Sequence, residues 1–188
     1  YDILHQDETG ALIETHSYDG SNGISLIEKL NSLMSESKGA LFIILEAAAG
    51  FGKTCTAYEV LNTFSTKHTK QLPFFTELSR NREARIFKHI LLKEIDEQFP
   101  NGIKQNIVID QITKGRIPLI IDGFDELITK ESNKEEVESM LTTIVELLKG
   151  KAKIIITSRK TAIFNSDEFL NSINESKNEF SLARIEIK

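Results

Sequence analysis

The chain has a single cysteine, Cys55, in 188 residues. One thiol cannot close an internal disulfide, which agrees with a reducing, cytoplasmic setting. No apolar run approaches the roughly 18–20 residues needed to span a bilayer. The opening Tyr1-Asp2-Ile3-Leu4 lacks the basic and apolar regions of a signal peptide. A basic excess is missing as well: the net charge of −5 argues against a nucleic-acid-binding surface. His5, His16, His68 and His89 are scattered without metal-ligand spacing, and no internal repeat or low-complexity stretch occurs. An initiator methionine is also absent, so the chain is expected to be cut from something longer.

What is present fits a globular core. Hydrophobic residues make up 40% and charged residues 27%, and the length suits one domain with a short extension. Residues 1 to 20 alternate around a turn signal, Glu8-Thr9-Gly10, and suggest a small hairpin. Ile24, Ile27, Leu30, Leu33 and Met34 then repeat at helical spacing up to Lys38-Gly39. Beyond this point apolar runs alternate with amphipathic helices. The runs are Ala40–Leu45, Leu72–Leu78, a segment within Ile117–Leu127, Lys153–Thr157 and a short one at Arg184–Ile187. The helical patterns cover Cys55–Phe64, Arg85–Phe99, Ile103–Thr113, Lys134–Leu148 and, weakly, Phe164–Ile173. That alternation predicts an α/β fold, a mainly parallel sheet with helices on both faces. The expected division is an N-terminal extension, 1–39, packing on a core of 40–188. Ligands of such sheets bind beyond the carboxyl ends of the strands.

The segment Ala47-Ala48-Ala49-Gly50-Phe51-Gly52-Lys53-Thr54-Cys55 lies between an apolar strand and a helix. This is the context of a phosphate-binding loop. Gly50 and Gly52 let the backbone curl so that the N–H groups from Ala49 to Cys55 point inward at phosphate oxygens. The helix start adds unpaired N–H groups and a positive dipole end. Lys53 can reach the β- and γ-phosphates, and the Thr54 hydroxyl is a natural Mg²⁺ ligand. Ala47 stands where a first glycine is usual. Cys55 reads either as a thiol made reactive by the helix start or, more simply, as a small residue packed behind the loop.

Leu119-Ile120-Ile121-Asp122-Gly123-Phe124-Asp125-Glu126 is an apolar strand ending in three carboxylates. Asp122 abuts buried aliphatics and needs a partner, which Mg²⁺ supplies. Asp125 or Glu126 can orient an attacking water; the competing reading is that they cap or solvate a following helix. Ile154-Ile155-Ile156-Thr157-Ser158-Arg159 repeats the strand-end geometry. Arg159 can touch the γ-phosphate or merely end a strand at the surface.

In this order, Gly50-Phe51-Gly52-Lys53-Thr54, Asp122-Gly123-Phe124-Asp125-Glu126 and Thr157-Ser158-Arg159 resemble the NACHT branch of the STAND P-loop NTPases. The resemblance spans roughly residues 40 to 160 and implies a P-loop NTPase three-layer sandwich binding ATP/ADP and Mg²⁺. It implies that Lys53 contacts the β/γ-phosphates, that Thr54 and Asp122 hold the metal, and that Asp125 or Glu126 is the catalytic acid with Arg159 as sensor. Such proteins are signalling and defence ATPases, antiviral sensors among them, that self-associate on passing from an ADP- to an ATP-bound form. The effector and sensor domains of such a protein would lie outside this fragment.

Two other functions fit the same loop. One is a nucleotide-dependent scaffold with little hydrolysis, for which Asp125 and Glu126 would be superfluous. The other is a P-loop kinase, whose arginine-rich lid could only come from Arg80, Arg82 and Arg85; those read better as a solvated surface or a subunit contact. An AAA+ motor usually carries glutamate where Gly123 follows Asp122. No guanine-specifying Asn/Thr-Lys-x-Asp segment occurs, so ATP is expected over GTP.

Overall fold

The computed structural model describes residues 1–6, 12–17, 25–67, 72–81, 86–100, 102–126, 134–159 and 180–188. The weak helical pattern of Phe164–Ile173 and the Glu8-Thr9-Gly10 turn lie outside them. Among the described residues the elements are β1 (Asp2–Gln6), β2 (Leu12–Ser17), α1 (Leu26–Glu36), β3 (Ala40–Ala47) and α2 (Lys53–Lys67). They continue with β4 (Phe74–Glu77), α3 (Phe87–Gln98), α4 (Gln105–Thr113), β5 (Leu119–Asp122), α5 (Lys134–Val145), β6 (Lys153–Arg159) and β7 (Phe180–Ile187).

These strands form one sheet in the order β2-β1-β7-β3-β6-β5-β4. From β7 to β4 the pairing is parallel throughout; β1 runs antiparallel to both β2 and β7. The continuous apolar runs make sense in this setting, because a central parallel strand is covered on both faces and has no wet side to alternate toward. All eight residues of β3 are buried. Its even positions, Phe42 and Ile44, face α3, α4 and α5 with Ile121, Ile154 and Ile156. Its odd positions, Leu41, Ile43 and Leu45, face α1 and α2 with Ile120, Ile155 and Ile185. The fold is a three-layer α/β sandwich. Helix α1 starts at a capping box, in which Ser25 Oγ accepts from the Glu28 N–H and Glu28 returns a bond to the Ser25 N–H. Its Leu30 and Met34 join the core with Ile3 of β1.

Two features of the sheet bear on the site. The last strand is not the short piece expected at Arg184–Ile187 but eight residues long, Phe180–Ile187, and it lies between β1 and β3. And β3 and β5 are not neighbours: β6 lies between them. The tips carrying the glycine loop and the acids are therefore two strand spacings apart, about 9–10 Å, and β6 has to bridge them.

Candidate functional site

Strand β3 delivers the loop. Ala47 is still in the strand, buried and paired with Arg159 of β6 and Ile187 of β7, so a glycine is not required there. The turn follows, with the Phe51 N–H donating to the Ala48 carbonyl at 3.3 Å. Gly50 and Gly52 take φ of +83° and +78°, the left-handed region that a side chain disfavours. Helix α2 begins at Lys53, and its first N–H groups have no partner within the helix. The Lys53 ammonium bends back over the loop, donating to the carbonyls of Ala47 at 3.3 Å and Ala48 at 3.4 Å.

The acids meet the loop through hydroxyls. Thr54 Oγ1 donates to Asp122 Oδ2 at 2.8 Å. The other carboxylate oxygen, Oδ1, accepts from Thr157 Oγ1, which itself accepts from the Gly123 N–H at 3.0 Å. Thr157 of β6 thus fills the gap between β3 and β5. It is wholly buried, and Asp122 is 6% exposed. Sequence reading placed Thr157 at the polar strand end but missed this role. Asp122 and Thr157 share the face of Ile120 and Ile155, and that parity was the available signal.

After β5, a 3-10 turn at Phe124–Glu126 buries Phe124 on the far face and brings Asp125 and Glu126 to the same cavity. Asp125 accepts from the Arg159 backbone N–H at 3.1 Å and pairs with Arg159 Nε at 2.7 Å. Glu126 lies over Gly123, where an added Cβ would come within 3.3 Å of its Oε1. The resulting cavity, about 340 Å³, is bounded by the loop, Lys53, Thr54, Asp122, Glu126 and Arg159.

The structure does not bring every candidate inside. Ala49 and Cys55 line the cavity, but the Phe51 side chain projects to solvent, 53% exposed. Cys55 is not packed behind the loop. It is exposed, because Ala57, Val60 and Phe64 define the buried stripe of α2 and Cys55 lies on the opposite side of the helix. Arg80 is a solvated residue, paired with Glu77 at 2.7 Å; Arg82 and Arg85 lie outside the described residues. Glu77, in register with Asp122, also accepts from the Tyr58 hydroxyl, and the Tyr58 ring stacks on Phe75 with centroids 4.9 Å apart.

The donor set fits a magnesium nucleotide. Among the described residues no group of three or more His, Cys, Asp or Glu could hold a metal alone. Mg²⁺ bound with phosphates needs only one or two protein oxygens, and Thr54 with Asp122 offers that pair beside an open, left-handed loop.

A family profile for the NACHT domain matches residues 41–185, most of the chain. The chain belongs to the NACHT domain family. This NACHT chain is accordingly a nucleotide-binding P-loop NTPase domain. A search of the curated proteins finds no match. Among solved structures it is similar to the DnaC helicase loader, at 14% identity and a TM-score of 0.47, covering 89% of this chain and 92% of that one. It is also similar to the ORC2 protein of Aeropyrum pernix, at 11% identity and a TM-score of 0.48, covering 98% of this chain and 52% of that one. The third likeness is to Cdc6p from Pyrobaculum aerophilum, at 14% and 0.48, covering 96% and 49%. The chain spans about half the length of the latter two. Among the described residues no helix is long and apolar enough to cross a membrane.

Proposed function

We propose that this NACHT domain binds ATP with Mg²⁺, hydrolyses it slowly, and acts as the switch of a larger cytoplasmic signalling or defence protein. In this reading the exchange of ADP for ATP drives self-association of the full-length protein, whose effector and sensor domains lie outside this chain. Residues 1–39 form an extension on the nucleotide-binding core of residues 40–188, and the domain itself contacts neither membrane nor nucleic acid.

One observation carries the proposal: Lys53 and Thr54, Asp122 and Arg159, from three separate segments, bound a single cavity beyond the carboxyl ends of the strands. Phosphoryl transfer to water needs positioning and charge neutralisation more than covalent chemistry. Lys53 supplies a point charge to the β- and γ-phosphates, and the α2 N-terminus supplies N–H donors. Thr54 and Asp122 would hold Mg²⁺, which adds neutralising charge at the same phosphates. Thr157 fixes the Asp122 rotamer, and Arg159 presents its guanidinium to the terminal phosphate. Turnover in the isolated domain is expected to be slow, because other domains or subunits complete the site.

Calorimetric ATP affinity and steady-state turnover, compared between the wild type and Lys53→Ala, test this directly. Loss of affinity by at least about tenfold is expected, the worth of a charge-assisted phosphate contact. Equal affinity in the two proteins would overturn the phosphate-loop assignment. The scaffold reading, binding with little hydrolysis, gains from the engagement of both Asp125 oxygens by Arg159, which gives one of the two candidate acids a structural task. Turnover unchanged by both Asp125→Asn and Glu126→Gln would favour it.

A further inference from the structure

Glu46 sits at the root of the phosphate loop. It precedes Ala47, whose carbonyl accepts from the Lys53 ammonium at 3.3 Å, and the turn begins at Ala48. Its buried side chain lies on the α3–α5 face of β3, by parity with Phe42 and Ile44. The opposite charge comes from Arg184 of β7, also buried. Arg184 is in register with Ile44, two residues short of Glu46, so its guanidinium leans about 6–7 Å along the sheet toward the carboxyl edge. There a single nitrogen, Nη2, donates to both Glu46 oxygens at 2.8 Å. On the other flank of Glu46, Ser158 of β6 is in register and wholly buried, but its hydroxyl has no hydrogen-bond partner among the described residues. At this level β6 adds no bond from Ser158 to the loop strand, whereas β7 adds two from Arg184. An ion pair buried this deeply gives little net stability over apolar side chains of similar volume. An apolar pair would fill the space as well, but it would let the end of β3 settle in several arrangements.

Building on the nucleotide-binding reading above, we propose that Glu46 and Arg184 are positioning residues that fix the end of the loop strand against β7, so that docking of β7 and binding of nucleotide are coupled. Asp122 and Thr157 share the opposite face of the sheet, so Arg184 acts through Glu46 and not by contact with phosphate. What it sets is the place of the Ala47 carbonyl, and with it the height of the loop and the root from which Lys53 reaches. Coupling of this kind is reciprocal: a docked β7 tightens nucleotide by the same factor as nucleotide tightens the docking of β7.

Calorimetric affinities for ATP and ADP are measured for the wild type, the double variant Glu46→Leu with Arg184→Met, and Leu91→Ala, at a temperature where urea titration shows each to be folded. Leu91 is buried on α3 and does not line the cavity, so it controls for lost stability alone. The double variant should bind both nucleotides about tenfold or more weakly, and Leu91→Ala within about threefold of wild type. Hydrogen exchange at the amides of residues 180–187 reads the coupling in reverse. Saturating ADP should slow it by about tenfold in the wild type and by less than about threefold in the double variant. Wild-type affinity in the folded double variant overturns the proposal. So does an equal loss in Leu91→Ala, or exchange in the wild type that bound ADP leaves unchanged. Should the double variant fail to fold, Arg184→Lys and Arg184→Gln decide the point. One nitrogen serves both oxygens, so an ammonium can stand in for it and should keep affinity within about threefold, while the neutral amide should lose about tenfold. Equal affinities in those two overturn the proposal. Lys53→Ala separates the two levels. Unchanged nucleotide binding there defeats the parent reading, whereas lost binding there with wild-type affinity in the double variant defeats only the positioning role.

Discussion

Glu46 and Arg184 form the most consequential buried contact away from the cavity. They are 0% and 2% exposed, and one guanidinium nitrogen, Nη2, lies 2.8 Å from both carboxylate oxygens. Glu46 shares the α3–α5 face of β3 with Phe42 and Ile44, and β3 is the central strand of seven, so water has no ready access to a lost partner's place. At such separations the attraction is about 4 kcal/mol with an effective dielectric near 20, and much of it is offset by dehydrating both ions. Removing one partner leaves the other charge buried without this pairing, at about 3–5 kcal/mol. For a chain of this size, where 1 kcal/mol moves the melting point by roughly 2–4 °C, Arg184→Met alone or Glu46→Leu alone should melt roughly 6–20 °C below wild type. The double variant should recover most of that loss, because two apolar side chains leave no unpaired ion. Thermal unfolding followed by circular dichroism, with urea titration for the free energies, completes the cycle. Singles within about 1 kcal/mol of wild type, or a double variant as unstable as the two losses summed, would refute the reasoning.

Two further outcomes follow from the geometry. Thr157→Val should cost about 1–3 kcal/mol, because it leaves the Gly123 N–H and Asp122 Oδ1 without their shared hydroxyl; it should also raise the Mg²⁺ concentration needed for ATP binding, and Thr157→Ser should restore both. Tyr58 is held above its ordinary pKa of 10.0, first by its hydrogen bond to Glu77, then by burial and the Glu77 charge. The neutral phenol is the favoured folded form, so its contribution is fully present below pH 10.0 and is lost as pH rises through the higher folded value. Urea midpoints on either side of that pH should therefore fall more steeply for wild type than for Tyr58→Phe, and parallel curves would show that the Glu77 bond contributes nothing.

The parallel core was legible because its strands are continuous apolar runs: Leu41–Leu45, Leu119–Ile121 and Ile154–Ile156 have no polar face to confuse the period. The loop was legible for a chemical reason, since glycines before Lys-Thr are costly anywhere that does not need left-handed backbone, and both adopt it. What escaped was information held between segments. Phe180–Ile187 alternates and contains Arg184, so most of it resembled surface; only the buried carboxylate on β3 makes that arginine an interior residue. Strand order escaped too. Nothing within the Ile154–Arg159 run says that it inserts between the loop strand and the acid strand, and without that placement Thr157 has no visible task. The pairing of Asp125 with Arg159 followed the same pattern, because local spacing can put an acid near the cavity but cannot say which of its neighbours it grips.

The interior position of β7 has a consequence for how the molecule assembles. The strand that borders the loop strand comes from far along the chain, so during synthesis one whole flank of β3 offers bare amide and carbonyl groups until residues 180–187 arrive. The amino-terminal hairpin must wait for the same event, since β1 docks on β7 and not on β3. Residues 2–4 and 184–186 thus become neighbours only once β7 is in place, a long-range closure of the kind that slows folding. A nascent domain would gain its phosphate loop early and the shelter for that loop's strand last.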